Sequence, residues 1–280
     1  MQSCAMRSLA TPDAGESAWG RLRTRPPGRL GDLATRCAGW WEQSESPVRR
    51  LEPPSGAMSL VVSFGPAMRI SSASSPRAVR VESFVVGMYD EPALTEHDGE
   101  GFGIQLDLTA RAAYALGGAP MDELVNRAVP ADEACPGLRL GRLVDRLIST
   151  REVAERLRIV EEELVAAAAH GPQLSPEVAH VDAALRHEPA RSIGELAEEV
   201  GWTGSRLVRA FRREIGQPPK TLARVIRARD AVGRLRQSPP PSSLGTLAIE
   251  CGFSDQAHLG REIRVLTGRT PTEWMPARSA

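Results

Sequence analysis

The sequence predicts an α+β chain: a β-rich N-terminal part carrying helices, then an all-α C-terminal part of two helix-turn-helix motifs joined by a long helix. Three observations predict it. Runs rich in β-branched and aromatic residues, bounded by Pro, Gly and Ser clusters, lie within the first 110 or so residues. After about residue 177 every apolar pattern has helical spacing, in short pieces. Near the end, ECGFSDQAHLGREIRVLTGRTP (250–271) repeats the outline of EVGWTGSRLVRAFRREIGQPP (199–219).

Residues 1–20 are small and polar without periodicity, the composition of a disordered tail. A β-rich domain is expected over 21–135, with strands in SLVVSFG (59–65), VESFVVGMY (81–89) and GFGIQLDL (101–108). Phe84 and Val86, then Phe102, Ile104 and Leu106, alternate, so one face of each strand should be buried. SSASSP (71–76) reads as a loop. TARAAYALGG reads as a helix stopped by Gly117 and Gly118, and PMDELVNR as a helix with Pro120 in its first turn. Residues 136–169 read as a helical connector and HGPQLSP (170–176) as an accessible linker, because one Gly and two Pro interrupt both flanking patterns. Residues 177–280 form the helical C-terminal domain.

In the first copy of the repeat, Ser192 and Glu195 have capping-box spacing, Leu196, Ala197 and Val200 face inward, and Gly201 stops the helix. Thr203 caps the next helix, whose stripe is Leu207, Ala210, Phe211 and Ile215, and Gly216 stops it. In the second copy Leu247, Ala248, Gly252, Phe253 and Ser254 match Leu196, Ala197, Gly201, Trp202 and Thr203 at an offset of 51. Leu259, Ile263, Gly268 and Pro271 match Leu207, Phe211, Gly216 and Pro219 at 52, so one residue is inserted in the second turn. One helical hairpin would say little, but two in register are specific. Between them, Leu222, Val225, Ile226, Val232 and Leu235 make one stripe along 219–237, a rod of roughly 28 Å at ~1.5 Å per residue. Motifs held that way can enter adjacent major grooves, which recur about every 34 Å on one face of DNA.

Charge agrees with that reading. The chain has 35 basic and 35 acidic residues, yet Glu82–Glu163 holds 8 basic and 17 acidic, and Val181 to the end 16 basic and 11 acidic. Arg206 to Arg236 alone holds ten basic residues and two acidic ones, a surface suited to phosphate neutralisation. Cys4, Cys37, Cys135 and Cys251 are scattered, without a CxxC pair, as in a reduced cytosolic chain. Cys251 takes an inward position in the second motif, whereas Cys135 falls in a loop and is the more reactive candidate. No run of ~18 apolar residues suits a membrane span, and no signal peptide is visible. His97 is the only one of five histidines in the strand region, too few for a metal centre, so no metal or cofactor is expected. Glu96, Asp98 and Glu100 read as a solvated turn, Glu161–Glu163 as an exposed helix face, and Trp202 and Phe253 as core plugs. No catalytic constellation is visible.

LAEEVGW…LVRAFRREIGQPPKTLARVIRAR and LAIECGFSDQAHLGREIRVLTGRTPTEW resemble the DNA-binding domain of the AraC/XylS family of bacterial transcription regulators, over about a third of the chain. SFVVGMYDEPALTEHDGEGFGIQLDLTARAAYALGGAPMDELVNR, with RPPGRLGDLATRCAGWW as its start, resembles an effector-type domain that precedes this module in some members. The resemblance implies a cupin-like partial β-barrel with helices, acting as sensor or association domain. It implies a cytoplasmic, nucleoid-associated, sequence-specific transcription factor and not an enzyme, with double-stranded DNA as partner. RNA polymerase, a small effector and a second copy of the chain are the further partner classes it brings, and a membrane is not among them. Base readout is assigned by the resemblance to Ser205, Val208 and Arg209 in the first copy and to Gln256, Ala257, Gly260 and Arg261 in the second. Arg206, Arg212, Arg213 and Lys220 fall to phosphate contact. Ala257 and Gly260 stand where longer side chains could reach bases, so the first copy should discriminate more. Two alternatives stand beside this: an adaptor whose motifs have lost DNA binding, against which the basic surface speaks, and an alkyl-accepting repair enzyme, which needs the clustered cysteines this chain lacks.

Overall fold

The structure, a computed structural model, describes residues 18–276 apart from 25, 27, 119, 238 and 240. The tail expected over 1–20 lies outside the described residues up to 17, and a strand begins at 18.

Among the described residues ten strands form two antiparallel sheets. They are β1 (Ala18–Thr24), β2 (Ala34–Gln43), β3 (Val48–Glu52), β4 (Ser59–Ser63), β5 (Met68–Ser72), β6 (Val79–Val81), β7 (Phe84–Val86), β8 (Ala93–His97), β9 (Glu100–Leu108) and β10 (Ala128–Pro130). The larger sheet runs β1-β2-β9-β4-β7-β10 and the smaller β3-β8-β5-β6. Together they make an open, partial cupin-like barrel. β9 is its central strand, pairing with β2 along nearly its whole length (Gln43↔Glu100 to Ala34↔Leu108) and with β4 on the other side.

The alternation read along β9 holds for Ile104 and Leu106, which are fully buried. On β7 both faces are covered, a pattern that alternation cannot reveal. Val85 points to a core shared with helices, while Phe84 joins Val61, Met68, Ile70, Val81 and Ala128 in a second core between the sheets.

The helices are α1 (Leu30–Leu33), α2 (Ala110–Gly117), α3 (Ala131–Ala134), α4 (Leu140–Ser149), α5 (Val153–Ala168), α6 (Pro176–His187), α7 (Ile193–Glu199), α8 (Gly204–Ile215), α9 (Pro219–Leu235), α10 (Leu244–Glu250) and α11 (Gln256–Thr267). Thr109 Oγ1 caps α2 by accepting from Ala112 N–H at 3.2 Å, and Gly118 ends it at φ 62°. PMDELVNR forms only one 3-10 turn, Met121–Leu124, because Asn126 at φ 53° bends the chain back towards β7.

Residues 136–169 do more than connect: Leu143, Leu147, Leu157, Val160 and Leu164 fill the helix-side core of the sheet. The exposed face read for Glu161–Glu163 is corrected at Glu163, which is buried and ion-paired with Arg139 at 2.9 Å. Nor is 170–176 an open linker throughout, since a Cβ on Gly171 would meet the Ala115 carbonyl oxygen at 1.9 Å. Only a glycine lets the backbones approach so closely.

Candidate nucleic-acid interface

Each copy of the repeat is a capped helical hairpin. Ser192 Oγ accepts from Glu195 N–H at 3.5 Å, the first half of the box read from the sequence, and Thr203 Oγ1 accepts from Arg206 N–H at 3.3 Å. In the second copy Ser243 Oγ accepts from Thr246 N–H at 3.0 Å. The cap of α11 is not Ser254 but Asp255, whose Oδ1 accepts from His258 N–H at 2.7 Å. The insertion therefore lies at Ser254, before the cap, and Asp255 takes the role of Thr203. Gly201, Gly216, Gly252 and Gly268 all have positive φ, from 68° to 103°, and so stop the helices as their glycines require.

Behind the first hairpin Leu196, Leu207, Phe211 and Leu222 pack with Val181 and Leu185. Behind the second, Leu247, Phe253, Leu259 and Ile263 pack with Val225, Val232 and Leu235. The stripe of α9 therefore belongs to both cores, and one rigid rod fixes two motifs. It has 17 residues, about 26 Å at ~1.5 Å each, slightly shorter than the sequence suggested. Arg224 ties α9 to α11 through Glu262 at 2.8 Å, and Arg227 Nη1 donates to the Gly252 carbonyl at 2.6 Å, at the turn of the second hairpin.

With the hairpins packed this way, Ser205, Arg209, Arg212, Arg213 and Lys220 are exposed and Val208 is half-buried. On α11, Gln256, Ala257 and Arg261 are exposed and Gly260 is half-buried. Counting charges overstated the free basic surface. Arg224 and Arg227 are engaged as above, Arg229 Nη1 donates to the Ser55 carbonyl at 2.8 Å, and Arg234 pairs with Asp230 and Glu250. Arg206 stacks on Trp202, its guanidinium 4.3 Å from the ring centre, and Arg236 on Trp274 at 4.5 Å. Trp202 is thus a partly buried shelf for an arginine, while Phe253 is a core plug. The side chains of Arg209, Arg212, Arg213 and Lys220 make no ion pair or hydrogen bond among the described residues. The free cations concentrate on and beside α8. On α11, Arg261 lies close enough to lower the pKa of Asp255, whose carboxylate is held down first by the His258 N–H and then by the Ser254 hydroxyl.

Elsewhere the chemistry is structural. His97 is buried, with Nδ1 accepting from Gly99 N–H at 3.3 Å and Nε2 3.0 Å from Glu42, which Arg50 also grips. With Nδ1 accepting, Nε2 is the ring nitrogen that donates to the Glu42 carboxylate. Glu96 is not in a solvated turn but on β8, paired with Arg49 and Arg69. Among the described residues no group of three His, Cys, Asp or Glu side chains could hold a metal ion. Cys135, read as the more reactive thiol, closes α3 in full burial, and desolvation pushes its pKa up to about 12. Cys37 and Cys251 are buried too, each pushed up to about 11, first by desolvation. No described helix is long and apolar enough to cross a membrane.

Against known proteins, residues 179–277 match the model of a helix-turn-helix domain. Over nearly the whole chain the fold is similar to that of ToxT from Vibrio cholerae. A structure of ToxT with an unsaturated fatty acid bound superposes with a TM-score of 0.50 at 8% identity, covering 94% of this chain and 96% of that one. An apo ToxT variant gives 0.50 at 9% identity, covering 85% and 96%. A probable AraC family regulator from Rhodopseudomonas palustris is 27% identical over 36% of this chain and 95% of its own, with a TM-score of 0.34. No curated protein is significantly similar in sequence. The fold and the paired motifs define a two-domain DNA-binding transcription regulator. The family match covers residues 179–277, about a third of the chain, and makes that C-terminal part a helix-turn-helix domain.

Proposed function

We propose that the chain is a sequence-specific transcription factor that reads two successive groove segments, with α8 as its main reader. The observation carrying this is the exposed face of α8: Ser205, Arg209 and Arg212, with Val208 half-buried among them, lie at helical spacings of three and four, and the side chains of Arg209 and Arg212 have no ion-pair or hydrogen-bond partner among the described residues. A recognition helix reads with such residues, and Arg209 has the reach and fork to bind a guanine at O6 and N7. Arg212, Arg213 and Lys220 serve phosphates, and Arg206 joins them from its stack on Trp202. Gln256 and Arg261, beside Ala257 and Gly260, give α11 a weaker part.

The N-terminal domain is the site of control, by a small effector or by association with a second copy or with RNA polymerase. The fatty acid in the ToxT structure belongs to that protein, and the shared fold supports only the idea that a chain of this architecture can hold a small molecule. Here the seam between the domains, lined by Met58, Met88, Leu108, Ala113 and Ile215 among others, holds about 10 Å³. That is room for one water at most, so an effector at the seam needs the domains to part. The reading places the chain in the cytoplasm and gives it no catalytic role.

The test is affinity for a duplex selected by the protein from a random pool, against a scrambled duplex, at several salt concentrations. A specific preference with a salt-dependent non-specific component is expected. Equal affinity for both duplexes would reduce the chain to a non-specific binder, and no affinity for either would favour the adaptor.

A further inference from the structure

We propose that the acidic 3-10 turn Met121–Leu124 is a gate on the first motif: it occupies the flank of α8 that a DNA backbone must take, and the first motif reads DNA only when the turn leaves. This rests on α8 being a reading helix. The turn runs alongside α8, and a Cβ on Gly216 would stand 3.1 Å from the Met121 carbonyl oxygen. Gln217, just beyond α8, is buried and donates from Nε2 to the Met88 carbonyl at 3.3 Å, fastening the same end. Between turn and helix lies an open cleft of about 540 Å³, lined by Asp122, Gly204, Ser205, Val208, Arg209 and Arg212. The base-reading face assigned to the first copy therefore looks across a cleft at a carboxylate of the other domain.

Two physical arguments turn that placement into a gate. A helix with its side chains is about 10–12 Å wide and the major groove about 12 Å wide and 8.5 Å deep, so a reading helix fills the groove and phosphate ridges lie on both its flanks. A backbone segment packed against one flank excludes one ridge. Secondly, Asp122 is exposed and acidic and lines the cleft with Arg209 and Arg212, where phosphates would otherwise lie, and the exposed Glu123 adds a second negative charge to the same turn.

The clamp is asymmetric. Around the first motif the domains are also joined by Arg186 Nη1 donating to the Gly56 carbonyl at 3.0 Å and by Arg229 on Ser55, with Gly56 lying against Val225 and Ile226. At the second motif, Leu51 approaches Gly268, at the far end of α11 from Gln256 and Ala257. The second motif has no described segment of the other domain beside its reading residues, while the first has the turn along its flank.

The experiment uses the full chain and a duplex selected from a random pool. The unaltered protein, Asp122→Asn/Glu123→Gln and the uncharged Met121→Ala are compared by affinity and hydroxyl-radical footprint. We expect at least a tenfold gain in affinity from both variants, with protection of the first-motif segment appearing at lower protein concentration than in the unaltered chain. In the unaltered protein, amides of 121–126 should exchange faster once DNA is added, a readout that needs no variant to fold. Unchanged affinity in both variants, or unchanged or slower exchange at 121–126 in the DNA complex, would overturn the gate. Binding of no duplex by any of the three would overturn the DNA reading itself, and the gate with it.

Discussion

Arg209 and Arg213 look alike in the sequence, and their positions on α8 separate them. Arg209 lines the cleft with Ser205 and Val208, whereas Arg213 does not. We expect Arg209→Ala to cost ~1–3 kcal/mol on the selected site and much less on scrambled DNA, relaxing one base position. Arg213→Ala should weaken both complexes alike and lower the salt slope by about 1. Titrations of both variants on both duplexes check this, and equal losses for Arg209→Ala would remove it from base readout. A second residue-scale expectation concerns the thiols. Burial pushes Cys37 and Cys251 up to about 11 and Cys135 to about 12, so the folded chain keeps these protons to higher pH than the unfolded chain does. The stabilisation is complete below the unfolded thiol pKa of about 8.5 and is lost as pH rises through the folded values. Denaturant melts should show stability falling from about pH 8.5 upward, less steeply in Cys37→Ser/Cys135→Ser. Iodoacetamide should leave Cys135 unmodified at pH 8 until the chain unfolds, and rapid labelling of the native chain would contradict its burial.

At the scale of elements, glycines of opposite character test the hairpins. Gly252 has φ 74°, and a Cβ there would meet Ala190 Cβ and Arg227 Cδ at 3.3 Å. Gly233 and Gly260 are within helices with nothing within 4 Å of a Cβ. Gly252→Ala should destabilise by ~1 kcal/mol or more, and Gly233→Ala should stabilise by ~0.5–1 kcal/mol. Urea melts decide, and a stabilising Gly252→Ala would mean the turn is not as described. The same hairpins show what the sequence could tell. Caps, stops and stripes are local and periodic, so α7, α8, α10 and α11 were legible to within a residue or two. Asp255 was missed because Ser254 is an equally good cap, and only the chain's path decides which side chain reaches His258 N–H. In the N-terminal part β4, β7 and β9 were legible as apolar runs, but β2, β3, β5 and β8 were not. Their burial comes from neighbours distant in sequence, as when Arg36 on β2 meets Asp107 on β9 at 2.7 Å. The reading face of α8 came from the family resemblance, and that a turn ninety or so residues earlier stands across from it no periodicity could show.

Over the whole molecule, α9 is the element that makes two motifs one reader. Its stripe is shared between both hairpin cores, and Arg224 and Arg227 fix α11 to it. A tandem held so firmly has one preferred spacing on DNA. The most direct test is affinity for the selected duplex after inserting about five base pairs, half a helical turn, between its two protected segments. If α9 fixes both motifs, the insertion turns the segments to opposite faces, and affinity should fall to that of a duplex keeping the first segment alone. Affinity unchanged by the insertion would contradict a rigid two-motif reader.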